Sequence, residues 1–323
     1  MVFRSANSLL ALLKIKLKKY ISKIIQKIIS WFDNDLAEKK LNTKSFDFFR
    51  AIPFIFLHLA CFGVFFVGIS PVALWTALGL YCVRMFAITA FYHRYFSHKT
   101  FKTNRFFQFC FAFLAATSGQ RGPLWWASWH RLHHQHADKE NDPHSPVAHG
   151  FIESHVAWFF RPTAFKTELG VVNDFAKYPE LHWINRFDIV APVSLAISMF
   201  VVGYFLGKYL PSLDTNGVQM LVWGFFVSTV FLFHATCCIN SLAHQWGKRE
   251  YETKDHSKNN WFLAIVTLGE GWHNNHHFYP ATVKQGFKWW QIDITFYGLW
   301  FLSKLGIVHS LRLNIPKQEL NHE

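Results

Sequence analysis

Four long apolar runs limit most strongly how this chain can fold. A helix needs roughly 20 apolar residues to cross the hydrocarbon core of a bilayer, and such runs lie at 51–69, 72–92, 189–210 and 218–243. Hydrophobic residues make up 51% of the 323 positions, with 36 Phe and 14 Trp. We therefore expect an all-α integral membrane protein with four transmembrane helices, in preference to two soluble domains.

Basic residues are concentrated on one side of these four runs. The formal net charge of +13 is compatible with nucleic acid, anionic lipid or an anionic substrate as a partner. The turn after the first run carries no charge and the turn after the third has only Lys208 and Asp214, whereas Lys and Arg are frequent in the N-terminal segment, the middle loop and the tail. The positive-inside rule places those three segments in the cytoplasm, and we expect no nucleic-acid partner.

The N-terminal segment has the pattern of an amphipathic helix. Residues 7–32 combine Leu and Ile with lysines at helical spacing, namely Lys16, Lys19, Lys23 and Lys27. A basic stripe beside an apolar one predicts a helix on the membrane surface, and a signal peptide or a soluble helix are the alternatives. We divide the chain into this basic segment, 1–50, a single membrane domain, 51–310, and a polar tail, 311–323.

Histidines cluster on the side assigned to the cytoplasm. Segments 130–134 and 273–277 share the motif H-x-x-H-H, whose i, i+3 and i+4 spacing places three imidazoles on one helical face. Segment 93–98 has the pattern H-x4-H, and Asn240 and His244 share a helical face near the end of the fourth run. The candidate imidazole ligands are His93, His98, His130, His133, His134, His244, His273, His276 and His277.

This ligand set indicates two metal ions. A zinc site usually closes at four ligands, so nine imidazoles exceed what one ion uses, and imidazole also accepts copper, iron or nickel. The loop from His130 to Asp188 and the chain after His244 are expected to form a cytosolic helical cap over the spans. We expect this cap to hold a histidine-ligated di-metal site. His136 and His144 lie close to the first motif without fitting a repeated spacing, and either support the ligands or are unrelated to them.

A carboxylate-bridged metal site is the competing design. Such sites pair two Glu-x-x-His motifs, and here the only instances are Glu270 with His273 and Glu319 with His322 in the polar tail. We therefore interpret Glu270, Asp138 and Asp142 as acceptors that fix the tautomers of ligating imidazoles, with plain solvation as the alternative.

The apolar segment 103–119 is slightly short for a span and has histidine clusters on both flanks. A true span would put those clusters on opposite sides of the membrane. We expect a shallow or re-entrant helix, since irregular backbone is tolerated at that depth where it lines a protein cavity.

Arg84 is a charge inside the second apolar run. An arginine at this depth indicates either a function or a buried partner. The alternative is a side chain that reaches back to the cytosolic surface.

The segments HRYFSH, HRLHH, NSLAH and HNNHH, in this order and with these runs, resemble those of membrane-bound fatty acid desaturases of the histidine-box, stearoyl-CoA Δ9 type. The resemblance covers about residues 50–310 and includes LHLA, FKTNR, GPLWWASWHRLHH, NDPHSP and LGEGWHNNHHFYP. GPLWW and the compact length resemble the bacterial branch. The resemblance thus implies a multi-pass protein of the bacterial inner membrane, with its active site on the cytosolic face.

The resemblance also implies an activity and its cofactors. The nine histidines would hold two iron ions (Fe2+), with Asn240 contacting one of them through water. A cis double bond at carbon 9 of a saturated chain of 16 or 18 carbons, carried as acyl-CoA, would be made with O2 and two electrons.

Five substrate residues follow from the resemblance by matching position. Gln120, Trp126 and Thr236 would line the bend of an acyl tunnel, although plain packing is the alternative for Trp126 and Thr236. Arg131 and Arg161 would meet the phosphates of the acyl carrier. The sequence departs from the animal enzymes where Cys237 replaces a tunnel tryptophan and Pro162 replaces a lysine.

Two other function classes remain open. A histidine-box hydroxylase of a lipid or alkane uses similar ligands but inserts oxygen, and a non-enzymatic metal-binding membrane protein would place ligands along its spans. For the desaturase, residues 1–323 contain no cytochrome b5-like haem segment, no cysteine cluster for iron–sulfur ligation and no G-x-G-x-x-G fingerprint. We expect electrons from an external cytochrome b5-like protein, ferredoxin or similar reductase system, and membrane lipids as neighbours.

Overall fold

Four helices in the described part of the chain are long and apolar enough to cross a membrane. The computed structural model describes residues 2–38 and 46–314, with side chains for residues 14–36 and 46–314. Span 1 is Phe48–Val67, span 2 is Pro71–Ser97, span 3 is Val190–Tyr209 and span 4 is Gly217–His244. The expected all-α membrane fold is confirmed, while residues 39–45 and most of the predicted tail, 315–323, lie outside the described residues.

Shorter elements connect these spans. The N-terminal helix is Val2–Ile29, the shallow helix is Arg105–Ala116, the first histidine helix is Pro123–His136, the second histidine helix is His273–Phe278 and the C-terminal helix is Ile294–Lys304. Brief helical turns are Asn34–Glu38, Pro146–His149, Glu153–Ala157, Trp158–Phe160, Pro162–Phe165, Leu169–Val171, Asn173–Ala176, Pro179–Arg186, Pro211–Leu213 and Trp261–Val266. Two short antiparallel strands, Lys102–Thr103 and Val308–His309, join the two ends of the cap.

Residues 68–70 connect span 1 to span 2, and both spans pack against span 4. The carboxylate of Asp47 accepts hydrogen bonds from two backbone N–H groups at the start of span 1, which satisfies donors that a helix start leaves unpaired. Ser70 caps span 2, and Pro71 follows at its first position, where proline needs no backbone N–H. The Ser70 cap and Pro71 allow span 2 to begin directly after the short turn, residues 68–70.

Span 2 ends in a π-helical segment, Ala87–Ser97, and span 4 contains another, Leu221–Val227. π-Helical turns are rare and are often found at functional sites. The first of them carries His93 near the C-terminal end of the span, so the wider helix positions a histidine that the resemblance assigns to the metal.

Arg84 is completely buried within span 2. Its guanidinium donates hydrogen bonds to Thr229 Oγ1 at 2.8 Å and Ser228 Oγ at 2.6 Å in span 4, and to the Thr117 carbonyl at 3.3 Å. A side chain held in this way does not reach the cytosolic surface. Arg84 therefore connects span 2 to span 4 and to the end of the shallow helix.

The shallow helix, with 12 residues, is shorter than a membrane-crossing helix needs to be. The chain segments on its two sides meet, because His98 Nε2 and His130 Nε2 are 2.9 Å apart. The chain thus enters and leaves this helix on the same side, in agreement with the expectation from its length.

A buried charge network joins the end of span 2 to the cap. Arg94 is almost fully buried and pairs with Glu270 at 3.0 Å and Asp293 at 2.9 Å. It also donates to the Val283 carbonyl at 2.8 Å. Two carboxylates and a carbonyl thus compensate one buried guanidinium, as a charge removed from water requires.

Candidate metal centre and acyl cavity

The nine candidate imidazoles fall into two groups, five plus four, and within each group the potential ligand atoms all lie within 4.8 Å of one another. The five-histidine group is His93, His98, His130, His134 and His276, and the four-histidine group is His133, His244, His273 and His277. Nε2–Nε2 distances of 2.9 Å between His134 and His276 and 3.1 Å between His244 and His273 show that the ring nitrogens converge. Each group thus gathers several nitrogen donors around a common point.

The two H-x-x-H-H motifs each contribute to both groups. On the first histidine helix, His130 and His134 belong to the five-histidine group and His133 to the other. On the second, the shares are reversed, since only His276 belongs to the five-histidine group. The two helices therefore interlock, and neither motif forms a metal site alone.

Close backbone approaches at two glycines allow these helices to sit where they do. A Cβ added to Gly122 would lie 2.4 Å from Asn185 Cα, and one added to Gly271 would lie 2.0 Å from the Ala264 nitrogen. Asn185 uses this proximity to accept a hydrogen bond from the Trp125 N–H at 2.8 Å. The glycines before the histidine motifs therefore have a packing reason.

Carboxylates accept hydrogen bonds from the outer nitrogens of four imidazoles. The Nδ1–oxygen distances are 2.8 Å from His133 to Asp142, 2.9 Å from His244 to Asp138, 2.9 Å from His277 to Asp255 and 2.5 Å from His93 to Glu270. A proton held on Nδ1 leaves Nε2 as the lone-pair donor, which is the tautomer a metal requires.

The electrostatics of the cap favour neutral imidazole at most positions. Burial, followed by the neighbouring imidazoles, lowers the pKa of the rings well below the ordinary histidine value at His98, His130, His134, His273 and His276. The exception is His133, where burial lowers the pKa but the Asp142 carboxylate more than offsets it. Neutral imidazole is the form that binds metal.

The carboxylates around these rings are held ionised. Burial raises the pKa of Glu270, but the charges of His93 and Arg94 outweigh it and bring the pKa to about 2. For Asp142, Asp138 and Asp255, burial likewise acts against the imidazoles, and the pKa remains below the usual range. Ionised carboxylates therefore accept hydrogen bonds from the imidazoles of both groups.

His144 and His136 are placed differently from the nine. The His144 ring stacks on His133 with centroids 4.5 Å apart, and its Nδ1 lies 3.8 Å from Asp142. His136, at the end of the first histidine helix, belongs to neither histidine group. The His144 ring thus packs against the His133 ring.

Asn240 lies between the two histidine groups and a larger cavity. It lines a small pocket together with His93, His130, His133 and His273, which include members of both groups. It also lines the larger cavity. An amide at that point is placed to contact both the metal centre and the cavity contents.

The larger cavity, of about 520 Å3, is mostly apolar and is lined by residues of spans 1, 3 and 4. Gln120, Trp126 and Thr236 all belong to its wall, where Gln120 Nε2 donates to Thr236 Oγ1 at 3.0 Å and Trp126 Nε1 donates to Gln120 Oε1 at 3.3 Å. Trp126 stacks on His130, with ring centroids 5.1 Å apart. This acyl cavity therefore adjoins the five-histidine group directly, and Cys237 also lines it.

Arg131 lies outside the wall of this cavity and has strong internal partners. Its two terminal nitrogens donate to the two oxygens of Asp174 at 2.9 and 3.0 Å. It also donates to the backbone carbonyls of Phe96, Ser97 and Val171. The structure thus gives this guanidinium a role in connecting the first histidine helix to the neighbouring segments.

Arg161 also lies outside the cavity wall. Its guanidinium is paired through two nitrogens with the carboxylate of Glu153. A phosphate on this arginine would have to compete with a bidentate internal partner.

The structure shows further residues at the site that no sequence motif indicates. Arg50, Arg121 and Asp188 line the polar end of the acyl cavity, together with Trp31 from the segment after the N-terminal helix. Asp255, which bonds His277, lies in no motif of the sequence. These positions are set by tertiary packing, so spacing along the chain carries no signal for them.

Comparison with known proteins agrees with the architecture of the site. The model of the family described as fatty acid desaturase matches residues 38–300. The palmitoyl-monogalactosyldiacylglycerol delta-7 desaturase, chloroplastic, of Arabidopsis thaliana is 37% identical over 75% of this chain, and the match spans 63% of that protein. The acyl-CoA 5-desaturase of Anemone leveillei is 35% identical, over 83% of this chain and 80% of that protein. The sn-2 palmitoyl-lipid 9-desaturase of Nostoc is 33% identical, over 82% and 93%.

These relatives carry names that differ in acyl carrier and in double-bond position. The expected bacterial branch is not confirmed, since plant proteins are prominent among the relatives. The similarity therefore indicates desaturation of an acyl chain. The acyl carrier and the position of the double bond have to be inferred from the residues of this chain.

Proposed function

This chain belongs to the fatty acid desaturase family, and on that premise we propose that it places a cis double bond at carbon 9 of a saturated acyl chain of 16 or 18 carbons. The observation that carries the proposal is the contact between the five-histidine group and the acyl cavity, made by His130 and Trp126. It supports a reaction on an acyl chain because the cavity is apolar and lies within the membrane spans.

We propose that the two histidine groups hold two iron ions. The donor set fits, since the rings are buried and converge through Nε2, and since the five-histidine group has more nitrogens than a tetrahedral zinc site uses. Asn240 would act on one ion through a water. Iron supplies the oxidising chemistry with O2 that an unactivated methylene requires.

The reaction balances with an external donor. The acyl chain gives up two hydrogens from adjacent methylenes, two reduced donor molecules give one electron each, two protons come from the solvent, and one O2 becomes two waters. We propose a cytochrome b5-like protein or a ferredoxin as that donor. The net charge of +13 supports an acidic carrier, whose association would weaken as salt rises.

Residues of the cavity wall would determine the position and geometry of the new bond. The hydrogen-bonded set of Gln120, Trp126 and Thr236 fixes the shape of the wall beside His130. A wall held in this way limits which methylenes lie next to the metal centre and favours a bent chain. We propose that the enzyme sits in the bacterial inner membrane with this centre on the cytosolic face.

Fatty-acid profiling tests the proposal. The chain is expressed in cells that lack their own desaturase, and total fatty acids are analysed by mass spectrometry with location of the double bond. A new cis monoene at carbon 9 is the expected product. A hydroxylated chain would instead identify a histidine-box hydroxylase, and a bond counted from the methyl end would contradict the proposed position.

Metal analysis tests the cofactor separately. Protein purified without added zinc should contain two irons per chain. One metal per chain, or copper, would contradict the iron assignment, while zinc alone calls for reloading with iron, because overexpressed sites fill along the general affinity order of divalent metals.

A further inference from the structure

The acyl cavity reaches the lipid-facing surface of the protein. Phe56 of span 1 and Ile197 of span 3 both line it, yet they are 59% and 60% exposed. A cavity narrow enough to hold an acyl chain cannot account for so much exposure, so these two side chains also face outward. The wall between span 1 and span 3 thus contains a side opening towards the bilayer.

The polar end of the cavity lies at the depth of the lipid headgroups. Trp31 lines the cavity and stacks on Phe49 at the start of span 1, with ring centroids 4.5 Å apart. It directly follows the N-terminal helix, whose Ile and Lys side chains are exposed from residue 14 onward. Such a helix lies in the membrane interface, and tryptophan is enriched at the same depth.

Two guanidinium groups stand at this polar end. Arg50 and Arg121 both lie over the ring of Phe165, at 3.5 and 3.7 Å from its centroid. Arg121 also donates to Asp188 at 2.8 Å. Positive charge at headgroup depth suits the ester and phosphate oxygens of a lipid.

The residues expected to bind the phosphates of coenzyme A do not reach this cavity. Arg131 is engaged by Asp174 and Arg161 by Glu153, and neither belongs to the cavity wall. All four arginines have carboxylate partners, since Arg50 pairs with Asp47 and Arg121 with Asp188. Within the described part of the chain they differ in position, because Arg50 and Arg121 line the cavity and the other two lie outside its wall.

We infer that the substrate is an acyl chain of a membrane glycerolipid, which enters sideways between span 1 and span 3 while its headgroup stays at the interface beside Arg50 and Arg121. This inference rests on the proposed desaturase function and specifies its acyl carrier. It replaces acyl-CoA as the substrate expected from the resemblance.

A choice between two carriers tests the inference. The iron-loaded protein is reconstituted in liposomes with an electron donor and O2. One preparation contains phosphatidylcholine with deuterated stearoyl chains, and the other contains unlabelled lipid with deuterated stearoyl-CoA added. Intact lipids and CoA esters are analysed by mass spectrometry without hydrolysis, so that the carrier of each new double bond is identified.

We expect conversion of the glycerolipid to be at least about tenfold faster than that of stearoyl-CoA, a preference within the range that binding contacts provide. Equal rates, or faster conversion of stearoyl-CoA, would overturn the inference and leave the desaturase proposal intact. Product from neither carrier would overturn the desaturase proposal itself.

A pair of variants on span 3 tests the side opening. Ile197→Trp places a large ring at the rim and should lower glycerolipid conversion about tenfold, a loss typical of a substrate contact turned into a clash. Val201→Trp is the matched control, because Val201 lies one turn further along span 3, is also exposed and is not part of the cavity wall. Equal rates for the two variants would overturn the proposed route.

Discussion

The two histidine groups use the same motifs but have different surroundings. In the four-histidine group, three of the four rings are bonded to an aspartate, whereas in the five-histidine group only His93 has a carboxylate partner, Glu270. The five-histidine group instead adjoins the acyl cavity through His130. Carboxylate partners raise the basicity of a ligand and fix its orientation. We therefore expect the four-histidine group to hold a metal ion more tightly. The five-histidine group would face the substrate.

Removal of a ligand from either group should have the largest effect. His130→Ala and His133→Ala should each abolish product, because the interlocked helices contribute to both groups, while the protein still inserts into the membrane. Activity is measured as monoene formed per folded protein. His136→Ala is the control, since this ring belongs to neither group, and it should retain activity. If His136→Ala were as inactive as the others, the ligand set would be wrong.

Loss of an aspartate should lower metal affinity in one histidine group and not in the other. Asp255→Asn replaces the charged acceptor of His277 by a neutral amide and should lower metal affinity in the four-histidine group by about 10–100-fold. Iron analysis after mild chelation is expected to give about one iron per chain in the variant and two in the parent. Glu252→Gln makes the same chemical change on a side chain that is 96% exposed and should leave both irons in place. Two irons retained in Asp255→Asn after the same chelation would contradict the role assigned to this aspartate.

Much of the fold and of the candidate site could be predicted from the sequence. What could not be predicted has a physical cause. The four spans follow from apolar length, and the convergence of the histidine motifs follows from helical spacing. Spacing gives the face of a helix but not its neighbour, so the division of His133 from His130 could not be foreseen. The carboxylate partners of Arg131 and Arg161, and the role of Asp255, depend on chain segments that only the tertiary fold brings together.

Asn240 lies between the histidine groups and the acyl cavity, and its replacement should have an effect of intermediate size on activity. Asn240→Ala removes an amide that faces both the small pocket and the acyl cavity, and activity should fall about tenfold, within the range of losses at groups that support a metal centre. Both irons should remain, because the nine imidazoles are unchanged. The measurement is activity together with iron content. Complete loss of activity with loss of iron would mean that the amide is a direct ligand.

The smallest effect is expected on the cavity side. Cys237 is buried and lines the acyl cavity, so Cys237→Trp should narrow the space beside Thr236 and shift the preference between chains of 16 and 18 carbons by about tenfold or less, the scale on which a pocket discriminates methylenes. Product ratios from a mixture of both chains give the measurement. Cys110→Trp, at an exposed position on the shallow helix, should leave the ratio unchanged. An unchanged ratio in Cys237→Trp would remove this residue from the determinants of chain length.

The interlocking of the two histidine helices links the loading of the two ions. Both histidine helices contribute to both groups, so the first ion bound would fix these helices against each other, and the second ion would meet a site that is already ordered. Thermodynamic linkage is reciprocal, so each ion should strengthen the binding of its neighbour by the same factor. Iron uptake should then be positively cooperative, and chains with one iron should be scarce during titration of the intact protein.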